Sequence, residues 1–394
     1  MRKQWLNKGE SMTKKVLIVA QVIPQWYVDT LTNALGKDVY IDIITGSEVK
    51  GNVIHSPGHD SRSLKSRLIC WAKHYLFMRK WMKNNKSNKY DMIFAISNPP
   101  INSYVGLKLK KTFHAPFIYM NWDLYPQVIE SALHDPMARF ICDIWNGWNS
   151  RNYKKIDQVL TIGNVVAKSM NAGLKSPINI KVIPIAADIN RLKPISKWNN
   201  KFAIAHGLTD KFIVLYSGKM GMGHNIELIL DAAKSLENRK NICFVFIGEG
   251  SKFEVIEAFI EKNNCQNIKL FPLQSEEMFP HSIACGDVAI VSQEGSMAHL
   301  FMPSKTYSMM ACGQAIIGIG TEHDDLYELI TKYEIGETVI TGKKEELAEK
   351  ILGLYEDNNK LKKYQEKARK VAEEHYAFTV IEKKYKELFQ KVIG

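Results

Sequence analysis

Lys305 stands where a chain can hold an anion. It follows Pro303 and Ser304, opens a short periodic run through Met310, and is succeeded by Cys312-Gly313 and an apolar stretch at 315–319. Proline suits a helix entry, serine a cap and glycine a stop, so the spacing predicts a short helix that begins at this triplet and feeds a strand. The first turn of a helix leaves N–H groups unpaired at the positive end of its dipole, and Lys305 adds a full charge there. A second candidate is the turn at 218–225, Gly-Lys-Met-Gly-Met-Gly-His-Asn, between an apolar run and an amphipathic one. Its glycines let backbone approach a phosphate, and Lys219 can neutralise a diphosphate. His224 reads as a solvated residue at the start of the following helix.

These residues need strands that end beside them. Short apolar runs at 14–20, 39–44, 90–97, 116–120, 158–162 and 181–185, and again at 212–217, 242–247, 268–271, 287–292 and 315–319, alternate with helical patterns. Such alternation predicts an α/β chain with parallel sheets buried on both faces. At 394 residues it should form two domains rather than one, and 45% hydrophobic content supplies two cores. The boundary is placed in the segment 183–194, giving domains at 12–187 and 188–372 and a final helix at 373–394.

In doubly wound sheets the ligand crevice lies beyond the carboxyl ends of the strands. In the first domain that puts Asp123, in Asn-Trp-Asp-Leu-Tyr-Pro, at the crevice. Two roles stay open for it: orienting or deprotonating a hydroxyl, or a turn and capping residue.

The formal charge of +12 is one-sided: residues 1–187 hold 26 Lys+Arg against 12 Asp+Glu, whereas residues 188–394 hold 27 against 29. The excess concentrates in residues 62–89, with nine Lys/Arg and no acid. At about 100° per residue, Leu64, Leu68, Trp71, Tyr75, Met78 and Met82 share one face. Arg62, Lys65, Lys73, Arg79, Lys80 and Lys83 share another, with Phe77 and Trp81 between. This is either an interfacial helix for an anionic bilayer or a core stripe with a solvated basic face. No nucleic-acid-binding motif accompanies it. The six cysteines show no metal spacing and read as reduced thiols of a cytosolic chain. Residues 1–12 resemble neither a signal nor an anchor, and no run reaches the roughly 18 apolar residues of a spanning helix. No D-x-D is present, and no metal or cofactor is expected.

The segment Pro-Ser-Lys-x-Tyr-x-x-x-Ala-x-Gly before an apolar strand resembles the donor-binding segment of nucleotide-sugar glycosyltransferases of the GT-B fold, two Rossmann-like domains facing a central cleft. It is most similar to bacterial glycosyltransferase family 4, enzymes of surface polysaccharide assembly. The resemblance implies a nucleotide-diphosphate sugar donor, with a UDP-sugar foremost, and a polyprenyl-linked acceptor. It also implies retention of anomeric configuration and action at the inner face of the cell membrane. Donor contacts would come from Gly218, Gly248, Gly250, Pro272, Leu273, Glu294, Gly295, Ser296, Pro303, Ser304 and Ser308, with Lys219 and Lys305 on the diphosphate. Gly248 and Gly250 read equally well as ordinary turn glycines. Lys65, Trp71, Lys73, Lys80, Trp81 and Lys83 would face the membrane and acceptor. The chain departs from the family at five places. Gln21–Trp26 replaces a glycine-rich loop, Trp122 stands where a histidine is usual, and Ile185-Ala186 replaces Asn-Gly. Leu300 and Ser308 occupy the places of two glutamates. These departures keep a GT-B nucleotide-sugar epimerase and a non-catalytic partner of another transferase as rival expectations.

Overall fold

The computed structural model describes residues 14–60, 64–133, 136–221 and 223–393. The chain divides into two compact units, one of residues 1–162, 167–183 and 382–394, the other of residues 163–166 and 184–381.

The first unit is built on a seven-stranded sheet, β1 (Lys14–Val19), β2 (Val39–Thr45), β3 (Asn52–His55), β4 (Met92–Ile96), β5 (Phe117–Asn121), β6 (Gln158–Thr161) and β7 (Ile180–Val182). Every pairing is parallel and the order is β3-β2-β1-β4-β5-β6-β7. Val16–Ala20 and Met92–Ile96 are continuous apolar runs because helices cover both faces, and none of these side chains is more than 1% exposed. The covering helices are α1 (Gln25–Leu35), α2 (Leu64–Asn84), α3 (Asn102–Phe113), α4 (Gln127–Leu133), α5 (Pro136–Asn152) and α6 (Asn164–Ala172), whose first three residues are counted with the other unit. The last turns of the chain also pack here. Tyr385, Leu388 and Phe389 are buried, and the Tyr27 and Tyr385 hydroxyls share a 2.6 Å hydrogen bond.

The second unit repeats the plan with β8 (Phe212–Lys219), β9 (Ile242–Glu249), β10 (Ile268–Phe271), β11 (Val288–Ser292), β12 (Ala315–Gly320) and β13 (Gly336–Ile340). All its pairings are parallel, in the order β10-β9-β8-β11-β12-β13. Its helices are α7 (Lys201–Ala205), α8 (Ile226–Ser235), α9 (Phe253–Asn263), α10 (Phe279–Ile283), α11 (Lys305–Ala311), α12 (Asp325–Tyr333), α13 (Lys344–Glu356) and α14 (Asn358–Val371), with α15 (Phe378–Ile393) divided between the units. One core runs from Phe244 and Phe246 of β9 through Ile229 of α8 to Ile317 and Leu347. Burying each such side chain contributes roughly 1.5–3 kcal/mol.

Two edge strands, β3 and β13, were not expected. Both are short, and neither Asn-Val-Ile-His nor Gly-Glu-Thr-Val-Ile has the unbroken apolar run of a central strand. In both sheets the order reverses beside the first strand, between β1 and β4 and between β8 and β11. At those two points the loops diverge and open a crevice.

Candidate active site

At the crevice of the second sheet, the loop after β8 and the loop after β11 are stitched together. The His224 Nδ1 lies 2.7 Å from the Ser292 carbonyl oxygen, and the Asn225 N–H donates to Ser292 Oγ at 3.1 Å. The Asn225 amide donates to the Gln293 carbonyl at 2.7 Å, and the Glu294 N–H to the Gly223 carbonyl at 2.9 Å. The turn is thus fixed before any ligand arrives.

Lys305 reaches into this turn from the start of α11. Its Nζ lies 3.7 Å from the centre of the Tyr216 ring. A Cβ built on Gly218 would stand 3.7 Å from the same nitrogen, so the amine rests against a backbone that glycine leaves open. The amine is shut from solvent and has no hydrogen-bond partner. Burial pushes its pKa down to about 7. A buried ammonium with no counter-charge is costly even over an aromatic face, and an anion at Gly218 would supply what it lacks.

Three cations converge on His224. Burial, then Lys305, then Lys252 and Lys219 hold its imidazole down to about 4, so it is neutral at pH 7. The Lys252 Nζ donates to the His224 carbonyl at 2.8 Å and pairs with Glu227 at 2.7 Å. Lys219 is exposed at the end of β8, and the Tyr216 hydroxyl donates to its carbonyl at 2.9 Å. Sequence reading took His224 for a solvated or helix-start residue and passed over Lys252; His224 does stand just before α8, but half-buried. The Ser292 carbonyl and the fold of the turn explain the difference, and neither is visible in residue types.

The other expected donor residues fall into three groups. Gly248 and Gly250 have φ of 155° and 137°, and a Cβ on either would stand 2.0 Å from the Gly218 oxygen and 2.4 Å from the Met220 oxygen. Close packing of the β9 turn on the β8 turn therefore requires glycine at both positions. Pro272 and Leu273 are exposed just past β10. Glu294 is half-buried at the head of a short turn that includes Gly295 and the exposed Ser296; Gly295 faces Thr321 and Thr341.

One expectation about α11 is corrected. Ser304 does not cap it, because its backbone is already helical at φ −60° and ψ −28°, and its side chain accepts no capping bond. Instead the Thr306 hydroxyl donates to the buried Pro303's carbonyl at 2.7 Å. Lys305 opens the helix as expected, and its amine is enclosed. Ser308 is half-buried, and Leu300, in the other place where the family has glutamate, is a buried packing residue. The loop holding Leu300 hangs on Gln293, whose amide donates to the Phe301 carbonyl at 2.8 Å. His299 beside it has Nε2 at 3.3 Å from Thr321 Oγ1 and a buried, unpaired Nδ1. No sequence pattern marked either residue.

In the first unit Asp123 follows β5, next to Trp122. The Trp122 N–H donates to Ser97 Oγ at 3.0 Å, and its ring meets the edge of Tyr27 at 5.0 Å. Asp123 is exposed as a residue, but the groups crowded round its carboxyl desolvate it and raise its pKa, while the Arg67 guanidinium pulls it back. His74, on the inner face of α2, hydrogen-bonds Asn102 Oδ1 at 3.0 Å, and burial lowers its pKa to about 4.

The basic helix is also corrected. α2 begins at Leu64, and Arg62 lies outside the described residues. Trp71 is buried edge-on to Tyr125 rather than lying on an exposed face, while Trp81 is half-buried and packs on Phe113. The inner face is Trp71, His74, Met78 and Met82, while Leu68 is 50% exposed. Lys65, Lys73, Lys80 and Lys83 are exposed. Among the described residues no group of His, Cys, Asp and Glu could hold a metal, and no helix is long and apolar enough to cross a membrane. All six cysteines are free thiols.

Two parallel doubly wound units of this kind define the GT-B class of fold. The structure superposes on Anabaena HepE in complex with UDP-glucose with a TM-score of 0.71 at 15% identity, covering 96% of this chain and 99% of that one. More particularly, residues 197–371 match the family described as Glycosyl transferases group 1. The chain is 22% identical to the probable glycosyltransferase WbjE of Pseudomonas aeruginosa over 281 residues, 70% of this chain and 69% of that protein. It is 26% identical to the putative colanic acid biosynthesis glycosyl transferase WcaI of Escherichia coli K12 over 178 residues, 44% of this chain and 43% of the relative.

Proposed function

We propose that the chain is a glycosyltransferase that moves a sugar from a nucleoside-diphosphate sugar, in the first instance a UDP-sugar, to a lipid-linked acceptor. The reaction would serve surface polysaccharide assembly at the cytoplasmic face of the membrane. The observation that carries this reading is Lys305, a buried amine without a partner beside Gly218. As the glycosidic bond to the donor breaks, negative charge builds on the leaving diphosphate, and a fixed cation there lowers the barrier. Lys219 adds a second positive charge from the rim. Asp123 is the acceptor-side candidate, its raised pKa suited to exchanging a proton with a hydroxyl. Retention of configuration is part of the proposal through the likeness to family 4, and so is a reaction that needs no metal.

The test is calorimetric titration of the whole protein with UDP, GDP, CMP and dTDP, with and without EDTA. Selective, EDTA-insensitive binding that Lys305→Met weakens at least about tenfold supports the reading. Equal binding by the variant removes Lys305 from the site. UDP binding without hydrolysis or transfer from any UDP-sugar would favour a non-catalytic role, for which Leu300 and Ser308 in the glutamate places already speak.

A further inference from the structure

On α5, Met137, Phe140, Ile141 and Ile144 are 65%, 62%, 54% and 60% exposed. Spacings of three, one and three residues put them on one face at about 100° per residue. The opposite face, Ala138, Cys142 and Asn149, is buried and fixes the helix to its unit. α5 is therefore apolar inward and outward, which a surface helix of a purely water-soluble unit is not. Leu68, Ile69 and Leu76 of α2 are exposed as well. Contiguous apolar surface of this kind marks a place of contact.

Between α2, α3 and α5 runs a groove of about 700 Å³ lined by Leu68, Trp71, Tyr75, Tyr104, Trp145 and Trp148 among others. Tyr104 is shared with a second recess, about 670 Å³, lined by Lys108, Lys110, Lys111, His114 and Lys155, with Asp157 the acid among them. Lys110 is engaged by Asp157 at 2.7 Å; Lys108 stands over the Tyr104 ring at 5.0 Å. On the other side of the groove α2 exposes Lys65, Lys73, Arg79, Lys80 and Lys83 and contains no acid. α5 itself carries a single acid, Asp143.

We propose that this face is a monotopic docking surface for an anionic bilayer. The α5 stripe enters the acyl region, a hydrocarbon chain occupies the aromatic groove, and the lysines of α2 and α3 meet phosphate headgroups. Apolar residues ringed by lysines and by ring systems with one polar end match the chemistry of that interface and of no uncharged partner. The inference deepens the membrane-side reading above and rests on it for its purpose. It also moves the inserting element from the indoles of α2 to α5.

The experiment is flotation of the full-length protein with phosphatidylcholine vesicles and with vesicles containing phosphatidylglycerol, beside calorimetric UDP binding. The wild type is expected on the anionic vesicles. Phe140→Ser/Ile144→Ser should lower its partitioning about tenfold or more, and Lys73→Glu/Lys80→Glu should remove the preference for anionic lipid, both with unchanged UDP affinity. Lipids brominated in the acyl chain should quench tryptophan emission, and Trp145→Phe/Trp148→Phe should remove most of that quenching. Wild-type binding by the serine variant overturns the proposal. So does light scattering that shows a wild-type dimer which the serine variant splits, since the face would then belong to a second copy. Because UDP binding is read in the same samples, a failed donor reading is distinguishable from a failed docking surface.

Discussion

The crevices at β1/β4 and at β8/β11 occupy the same position in the same strand order, yet they are furnished in opposite ways. The first is braced chiefly by neutral groups, with Asp123 and the nearby Arg67 as its charges. The Gln21 N–H donates to the Asn98 carbonyl at 2.6 Å, and its side-chain amide donates to the carbonyls of Pro57, Gly58 and Cys70, each at 3.2 Å. Trp122 and Tyr27 pack edge to face beside it. The second crevice keeps a buried amine unpaired and gathers Lys219 and Lys252 round a neutral histidine. A doubly wound sheet provides the opening, and the side chains at its rim decide whether it is braced or left charged for a ligand.

The sharpest break of this comparison is at Lys305. Methionine keeps most of the volume and removes the charge, so Lys305→Met should weaken UDP binding by about 10- to 100-fold, on the order of a charge-assisted contact worth 1.5–3 kcal/mol. The same variant should raise the melting temperature of the unliganded protein, because it deletes a buried cation that has no partner. Calorimetry and thermal melts check the two halves, and a variant that melts lower would mean that the amine is satisfied in solution.

Next in size is a dependence on pH. The folded pKa of Lys305 is about 7, below its ordinary value of 10.5. Between those values the unfolded chain holds a proton that the folded chain has released, so this group makes the unliganded protein more stable as pH rises through the window. A bound diphosphate favours the charged amine. UDP binding should therefore take up a proton above pH 7 and weaken with rising pH, by at most about tenfold per unit. Titrations in two buffers of different ionisation enthalpy read the proton directly, and the uptake should vanish in Lys305→Met.

How far the sequence carried this picture differs between the two crevices. The central strands of both sheets were legible because parallel strands covered on both faces must be apolar along their length, as Val16–Ala20 and Val288–Val291 are. The edge strands β3 and β13 were not, since one exposed side dilutes the pattern. The turn at 218–225 stood out through its glycines and Lys219. What could not be read was depth. A lysine after Pro-Ser is the same three letters whether its amine is in water or under the Tyr216 ring, and a histidine beside a glycine does not announce the carbonyl of Ser292. The basic helix teaches the same point from the other side. Its period was right, but a helix with apolar residues spread over more than one face does not say which indoles are turned inward. The stripe of α5 went unread because apolar residues at helical spacing do not say whether they face a core or the outside.

The smallest effects on donor binding should come from the first crevice, and they complete the contrast. Gln21→Leu leaves three carbonyls without their donor, which costs about 1–2 kcal/mol of stability and should not alter UDP affinity. Asp123→Asn should not lower stability, because desolvation already disfavours the charged carboxylate, and should leave UDP affinity unchanged, because Asp123 lies in the other unit from Lys305. If Asp123 exchanges a proton with the acceptor, the variant should still lose transfer, by about 10²-fold or more in kcat, while KM for the donor holds. Hydrolysis of the donor by water should fall less than transfer does, since water needs less orientation than a sugar hydroxyl. A parallel fall in both rates would place Asp123 in the general electrostatics of the site instead, and an unchanged transfer rate would return it to the turn it also suits.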